Sequence, residues 1–463
     1  MSFKRIVFGH LIVLSGLLFI SCGNSNGLED PGGLRERIGN LKGVTAVELV
    51  PYYNFDREFL MEIEQPVDHQ DSSAGIFTQR AYLLHNSESS PMVLASGGYE
   101  AFSDDLHEMT LALNANQISV THRYFSGAVP GNGDYQYLTM EQAAGDYHRI
   151  VELFKEIYPE SWLSSGFGKG GLAALSHRRF YPDDVEATVA YSAPFLSGQN
   201  DFRPIDYIKT ISEDSTYEKI KMFQEVLLRR RSEILPYVNY FMNYTAYNYY
   251  YNWSLNADLI LELAVMDYPF EYWSYHDEDL IEIPDTSESA EILFDHFYQV
   301  VTLDYLSDDY INYFEPSVYQ SMTELGAVAY DTDHIKDSLM IVDLDGSVNY
   351  NYEILAPQDV EMIYNPDVLT DLQNWLKGDG NNIVYLYGEL DPITSTAIDL
   401  SGGATNAIKL IQTGEDHYIG IENFDEADQV YNALSNWMGF EVEPLVKPVG
   451  IDADERPIFK LSE

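Results

Sequence analysis

Ser164-Ser165-Gly166-Phe167-Gly168-Lys169-Gly170-Gly171 is the stretch whose reading decides the fold. Tyr158-Pro159-Glu160-Ser161-Trp162-Leu163 precedes it and Leu172-Ala173-Ala174-Leu175 follows it. The passage therefore reads as a strand, a tight glycine-lined turn and the start of a helix. Such turns also cap helices and cradle phosphates, so this one takes its meaning from its neighbours along the chain.

Those neighbours alternate. Met92-Val93-Leu94-Ala95-Ser96 stops at Gly97-Gly98-Tyr99, and Ile118-Ser119-Val120-Thr121 stops at His122-Arg123-Tyr124-Phe125. Short apolar runs that end at glycine or polar loops are what buried parallel strands look like, and the loops at their C-terminal ends usually carry function. Residues 140–154 predict a helix, with Ala143, Tyr147, Ile150, Val151 and Phe154 at helical spacing; Val185 to Tyr191 predicts the next strand. Upstream, Phe55–Ile63 and Phe77–Leu84 alternate as opening antiparallel strands, with Gln65-Pro66-Val67-Asp68-His69 as a turn. Strand, helix, strand, turn, helix, strand is the α/β order.

From about Phe195 to Lys336 the chain is rich in aromatics, as in Tyr247-Asn248-Tyr249-Tyr250-Tyr251-Asn252-Trp253, with helical runs such as Leu255, Leu259, Ile260, Leu263 and Met266. This predicts a mostly helical insertion over the sheet. Aromatic stripes of this kind are more often core than ligand box. The sheet resumes with Asn382–Tyr387 and Ala407–Ile411, and a last helix runs near Asp425–Met438.

In that setting the glycine turn has the layout of a nucleophile elbow. An α/β-hydrolase elbow reads G-x-S-x-G, with small residues where strand and helix crowd and a strained backbone that lifts the serine into the open. Gly166 and Gly170 frame the turn, but its centre is Gly168. The expected fold is an α/β-hydrolase core with a mainly parallel sheet, formed by residues 41–195 and 341–440, and an inserted helical cap at 196–340.

An acid just past one strand and a histidine just past the next complete the order nucleophile, acid, base. Gly388-Glu389-Leu390-Asp391-Pro392 supplies Asp391, and Gly414-Glu415-Asp416-His417 supplies His417. In a triad the histidine takes the nucleophile's proton, and the carboxylate fixes its tautomer. Asp399 and Asp416 are rival acids that follow an apolar strand less directly, and His122 and His177 read as structural.

Asp and Glu number 74 against 26 Lys and Arg, for a formal charge of −48, and no basic block is present. Phosphate backbones would be repelled, which excludes nucleic acid as a partner. At the N-terminus Lys4 and Arg5 precede an apolar run from Ile6 to Ile20, too short to span comfortably but suited to a signal-peptide core. Cys22 is the only cysteine, so no intramolecular disulfide forms. Its place after Leu17-Leu18-Phe19-Ile20-Ser21 resembles the lipobox of bacterial lipoproteins, with Phe19 where leucine is usual. The expectation is a signal peptide at 1–21, a tether at 22–40 joining a lipid anchor at Cys22 to the domain, and a polar tail at 441–463; a secreted protein with an incidental Cys22 is the plainer alternative.

Gly168-Lys169-Gly170-Gly171, His177-Arg178-Arg179-Phe180-Tyr181-Pro182-Asp183-Asp184-Val185 and Ala187-Thr188-Val189-Ala190-Tyr191 together resemble the secreted tripeptidyl aminopeptidases of serine peptidase family thirty-seven. Gln65–His69, Asn116-Gln117-Ile118, His122–Phe125, Tyr387-Gly388-Glu389 with Asp391-Pro392, and His417 extend the likeness over about residues 50–440. The resemblance implies an α/β-hydrolase core, a helical cap, and removal of short peptides from free N-termini without metal or organic cofactor. This chain departs from the family's G-x-S-K-G-G at Gly168, from V-E-H-R-Y-F at Thr121 and from T-E-G-Y at Gly97. The two lost acids would suit a substrate ammonium group.

Glycine has no oxygen with which to attack a carbonyl. The leading expectation is thus an envelope lipoprotein in which Asp391 and His417 remain, the nucleophile is absent and peptides still bind under the cap. Backbone N–H groups of Lys169 and of the Gly98-Tyr99 loop would form any oxyanion hole. The alternatives are an active peptidase using another nucleophile, with Ser164 and Ser165 the nearest hydroxyls, and an interaction module that holds a protein or glycan through the tyrosine-rich cap.

Overall fold

The computed structural model describes residues 33–131, 133–212, 214–244, 256–274, 282–342, 355–357 and 360–445. Cys22, the signal segment, most of the tether, the aromatic run 247–253 and the tail beyond 445 lie outside the described residues.

A nine-stranded sheet runs through the core in the order β1-β2-β3-β5-β4-β6-β7-β8-β9. β1 (Val44–Leu49), β2 (Arg57–Pro66) and β3 (Ile76–His85) form an antiparallel meander. β3 pairs antiparallel with β5 (Asn116–Val120). From there β4 (Met92–Ser96), β6 (Trp162–Phe167), β7 (Ala187–Tyr191), β8 (Ile383–Gly388) and β9 (Ile408–Gln412) are parallel. Every residue of β4, β6, β7 and β8 is buried, as strands covered on both faces must be.

Successive side chains point to opposite faces and so build two cores. Met92 and Leu94 pack with Tyr147, Ile150 and Phe154 of the helix α3 (Met140–Phe154). Val93, Leu163, Val189 and Leu386 pack on the other side with Val430 and Leu434. Helix α1 (Leu34–Asn40) joins the first face, and α2 (Glu108–Ala112) the second. Leu172 and Leu175 of α4 (Lys169–Phe180) meet Ile383, Tyr385 and Tyr387 of β8 on the face that α3 covers.

Between β7 and β8 the chain builds α5 (Arg203–Ile211), α6 (Asp214–Arg229), α7 (Arg231–Tyr244), α8 (Ala257–Ser274), α9 (Ala290–Val300) and α10 (Asp308–Gln320). Phe223, Leu227, Ile260, Leu263 and Phe297 are among the residues of a separate cap core. Among the described residues, the cap's aromatics are largely spent on packing of this kind. After the cap, α11 (Asp367–Gly378) leads into β8 and α12 (Ala427–Met438) closes the core.

Two expectations need correction. Residues Leu34–Asn40, expected within the tether, form α1 instead, with Leu34 and Ile38 buried against the sheet. Seven residues are too few to display a helical period. β1 was not foreseen because, as an outer strand, it buries only Val44 and shows no clean alternation. The sequence turn at Gln65–His69 begins later than expected, since β2 continues to Pro66.

Candidate active site

β6 passes to α4 through Gly168, whose backbone stands at φ 51° and ψ −117°. A residue with a Cβ is strained in that region. The Gly168 N–H donates to the Tyr191 carbonyl at 2.8 Å, which ties the turn to β7. The framing glycines are sterically required. A Cβ on Gly166 would lie 2.3 Å from the Gly170 carbonyl oxygen, and one on Gly170 would lie 2.0 Å from the Ser96 carbonyl oxygen. A Cβ on Gly168 would meet no atom within 4 Å. The turn is shaped to hold a side chain in the open and carries none.

Asp391 follows β8 and caps a short 3₁₀ turn, Pro392–Thr396. Its Oδ1 accepts the Ile393 N–H at 2.9 Å. Its Oδ2 lies 2.7 Å from Nδ1 of His417. The aspartate is fully buried and the imidazole is 14% exposed. A carboxylate accepts, so the Nδ1 proton points to Asp391 and Nε2 faces away from it. The His417 ring stands edge-on to Phe167, with centroids 4.6 Å apart. Phe167 immediately precedes Gly168, so the base is carried to the elbow. Ser192 Oγ donates to the His417 carbonyl at 2.9 Å, and the His417 N–H donates to the Ser274 carbonyl at 3.3 Å, so core and cap both hold this loop.

Neither rival acid takes the place of Asp391 at Nδ1. Asp399 accepts from the Ser401 N–H and Asp416 from the Tyr418 N–H. Ser164 and Ser165 are buried beneath the turn, where Ser164 Oγ bonds to Thr188 Oγ1 at 2.9 Å and Ser165 Oγ donates to the Val189 carbonyl at 2.8 Å.

Lys169 opens α4 and folds its ammonium between two rings, 4.9 Å from the centre of Tyr99 and 4.8 Å from that of Phe125. Its Nζ is buried with no hydrogen-bond partner among the described residues. Burial pushes the amine down to about 7. His122 lies in the same region and is likewise depressed to about 3, by burial and then by the charge of Lys169; its Nδ1 bonds to the Arg123 carbonyl at 2.9 Å. Tyr99 and Phe125 pack in turn on Phe314 and Tyr313 of α10.

The two segments expected to supply an oxyanion hole touch each other, since a Cβ on Gly98 would lie 2.7 Å from the Gly170 nitrogen. The other two positions part company. Gly97 is exposed, and a Cβ there would have only the Glu100 carbonyl oxygen nearby, at 3.7 Å. Thr121, assigned to substrate binding, is fully buried, and its Oγ1 accepts the Ala101 N–H at 3.1 Å. It braces the loop after β4. His177 is structural, bonded through Nε2 to Asp184 at 2.9 Å. Among the described residues no group of three or more His, Cys, Asp or Glu side chains is placed to hold a metal, and no helix is long and apolar enough to cross a membrane.

Sequence reasoning missed the Lys169 sandwich and the contact between α8 and the base. Both bring together segments far apart in the chain, and neither leaves a local signal.

The description of the PS-10 peptidase S37 family matches residues 31–443. A prolyl tri/tetrapeptidyl aminopeptidase of Streptomyces mobaraensis is 29% identical over 430 residues, which cover 91% of this chain and 87% of that one. Among solved structures, a proline iminopeptidase of Mycobacterium smegmatis is 10% identical, covering 82% of this chain and 97% of that one with a TM-score of 0.34. A thermostable carboxyl esterase of Bacillus coagulans is 12% identical, covering 86% and 98%, also with a TM-score of 0.34. These two likenesses are too distant to bear on reaction or ligand.

Proposed function

The chain belongs to the PS-10 peptidase S37 family, and we propose that it is an envelope lipoprotein of that family that binds short peptides without cleaving them. One observation carries the reading. The Asp391–His417 pair is assembled at 2.7 Å beside an elbow whose central residue, Gly168, has no side chain to offer it. Loss of the serine from an otherwise intact triad lowers turnover on the order of a millionfold in a well-studied serine peptidase.

The ligand class follows from the relative's name, prolyl tri/tetrapeptidyl aminopeptidase, which makes short peptides with free N-termini the first to try. The elbow serine is absent while the framing glycines, the acid and the base are all kept. Ser164 and Ser165 are engaged beneath the turn, which counts against a substitute nucleophile. Lys4, Arg5, the apolar run to Ile20 and the lone Cys22 support export and lipid anchoring; release of Cys22→Ala from the membrane fraction is the expected result.

The test uses tripeptidyl reporter amides and a fluorophosphonate probe. The natural protein is expected to show neither turnover nor labelling, and Gly168→Ser to acquire both. Robust turnover by the natural protein would overturn the reading.

A further inference from the structure

Lys169 works against the stability of the fold. A buried ammonium with no hydrogen-bond partner among the described residues is costly, and a methionine would fill the same space without the charge. Residues that break a local rule in this way concentrate at functional sites. Lys169 stands next to Gly168, at the first position of α4.

The side chain joins several segments. A Cβ on Gly98 would lie 3.0 Å from the Lys169 carbonyl carbon and 3.1 Å from its Cγ, so the stem packs against the loop that follows β4. The ammonium then sits between Tyr99, from that loop, and Phe125, from the loop that follows β5. The two loops are also stitched to each other, since the His122 N–H donates to the Tyr99 carbonyl at 2.7 Å and the Ala101 N–H to Thr121 Oγ1 at 3.1 Å. On the cap side, Tyr99 meets Phe314 and Phe125 meets Tyr313, edge to face, with centroids 5.4 and 5.6 Å apart. Elbow, loops and cap thus converge on one cation.

A ring face carries partial negative charge and attracts a cation within about 6 Å, most strongly where water is excluded. His122 adds no charge to oppose this. Its Nδ1 donates to the Arg123 carbonyl, which leaves Nε2 as a bare lone pair. The attraction fixes where the two faces stand, and the ring of Tyr99 carries its backbone N–H with it. An apolar side chain of the same length would fill the space without fixing the faces.

We infer that Lys169 is a positioning residue of the elbow: its ammonium, clasped by Tyr99 and Phe125, holds the loop after β4 where its backbone N–H groups can receive an acyl oxygen, and ties that loop to α10 of the cap. It acts through the two rings and not by contact with a ligand. The inference rests on the reading of the elbow as a peptide site and goes beyond it, naming what sets the donors in place.

Hydrogen exchange in the full chain tests it. The His122 and Ala101 amides, which join the two loops, should be protected in the natural protein and should exchange roughly tenfold faster in Lys169→Met, although that variant is expected to gain global stability. Lys169→Arg, whose guanidinium also stacks on ring faces, should keep the natural rates. A merely structural lysine predicts the opposite, with protection following stability. In the Gly168→Ser background, Lys169→Met should lower kcat roughly ten- to a hundredfold at unchanged KM, less than the loss of a whole oxyanion donor, and Lys169→Arg should recover most of it. Unprotected loop amides in the natural protein, unchanged or slower exchange in Lys169→Met, failure of that variant to fold, or a raised KM at constant kcat overturns the inference. A Gly168→Ser protein without turnover overturns the reading of the dyad alone, and the exchange rates then decide this one.

Discussion

The carbonyl oxygen of Ser96 lies 2.0 Å from the point where a Cβ on Gly170 would stand, and the Ser96 hydroxyl donates to the Gly170 carbonyl at 2.8 Å. The end of β4 and the first turn of α4 therefore meet backbone to backbone. That contact sets Gly97, Gly98 and Tyr99 beside the elbow, and it tolerates no side chain.

Gly170→Ala should lower stability by about 3 kcal/mol or more, because the neighbour is rigid backbone that cannot move aside. Gly39→Ala, in α1, meets nothing within 4 Å and should be neutral or gain about 0.5–1 kcal/mol. Urea midpoints at constant slope separate the two, and equal midpoints would show that the contact yields.

Gly168→Ser has room for its side chain but must hold a positive φ. It should lose about 1–2 kcal/mol of stability while gaining covalent labelling by a fluorophosphonate. A stable variant that remains unlabelled would mean that the dyad and the oxyanion donors are not poised.

In the Gly168→Ser background, Asp391→Asn should reduce kcat by about four orders of magnitude, since an amide no longer fixes the imidazole in the Nδ1–H tautomer. Asparagine still serves as the N-cap of Pro392–Thr396, so thermal stability should change little. Ser165→Ala should leave kcat unchanged.

Lys169 is held to about 7 by burial, against its ordinary 10.5. The unfolded chain then binds more protons than the folded one between about pH 7 and 10.5, so this residue's contribution to stability rises with pH across that window. Below pH 7 the penalty is fully present and amounts to about 5 kcal/mol at most, with the two aromatic faces working against it. Lys169→Met should be more stable than the natural protein at neutral pH and should flatten the dependence from pH 7 to 10. An unchanged slope would place the titration elsewhere.

Asp146 receives both Nε and Nη2 of Arg123 at 2.8 Å, and both side chains are buried. Asp146→Asn should cost about 3–5 kcal/mol, because it strands a buried guanidinium. The 122–125 loop carries Phe125, so the damage should reach the Lys169 sandwich and show as altered aromatic circular dichroism.

Much of the core was legible in the chain because parallel strands buried on both faces leave continuous apolar runs, as at Met92–Ser96 and Ala187–Tyr191, and because α3 repeats its apolar residues at helical spacing. The same local rules marked Gly166, Gly168 and Gly170 as a turn under backbone constraint, and set Asp391 and His417 at strand ends in the order acid, then base. α1 and β1 escaped for the opposite reason, being short and half-exposed, with too few buried positions to express a period.

By itself, then, the sequence determined the layering of the core, the place of the elbow and the absence of its hydroxyl, since each is written in neighbouring residues. Only the tertiary structure decided that Asp391 rather than Asp399 or Asp416 holds Nδ1 of His417, that Thr121 is buried, that Lys169 lies between Tyr99 and Phe125, and that α8 ends against the base. Those facts join residues tens to hundreds of positions apart. Strand order and the seating of the cap set such contacts, and no local periodicity encodes them.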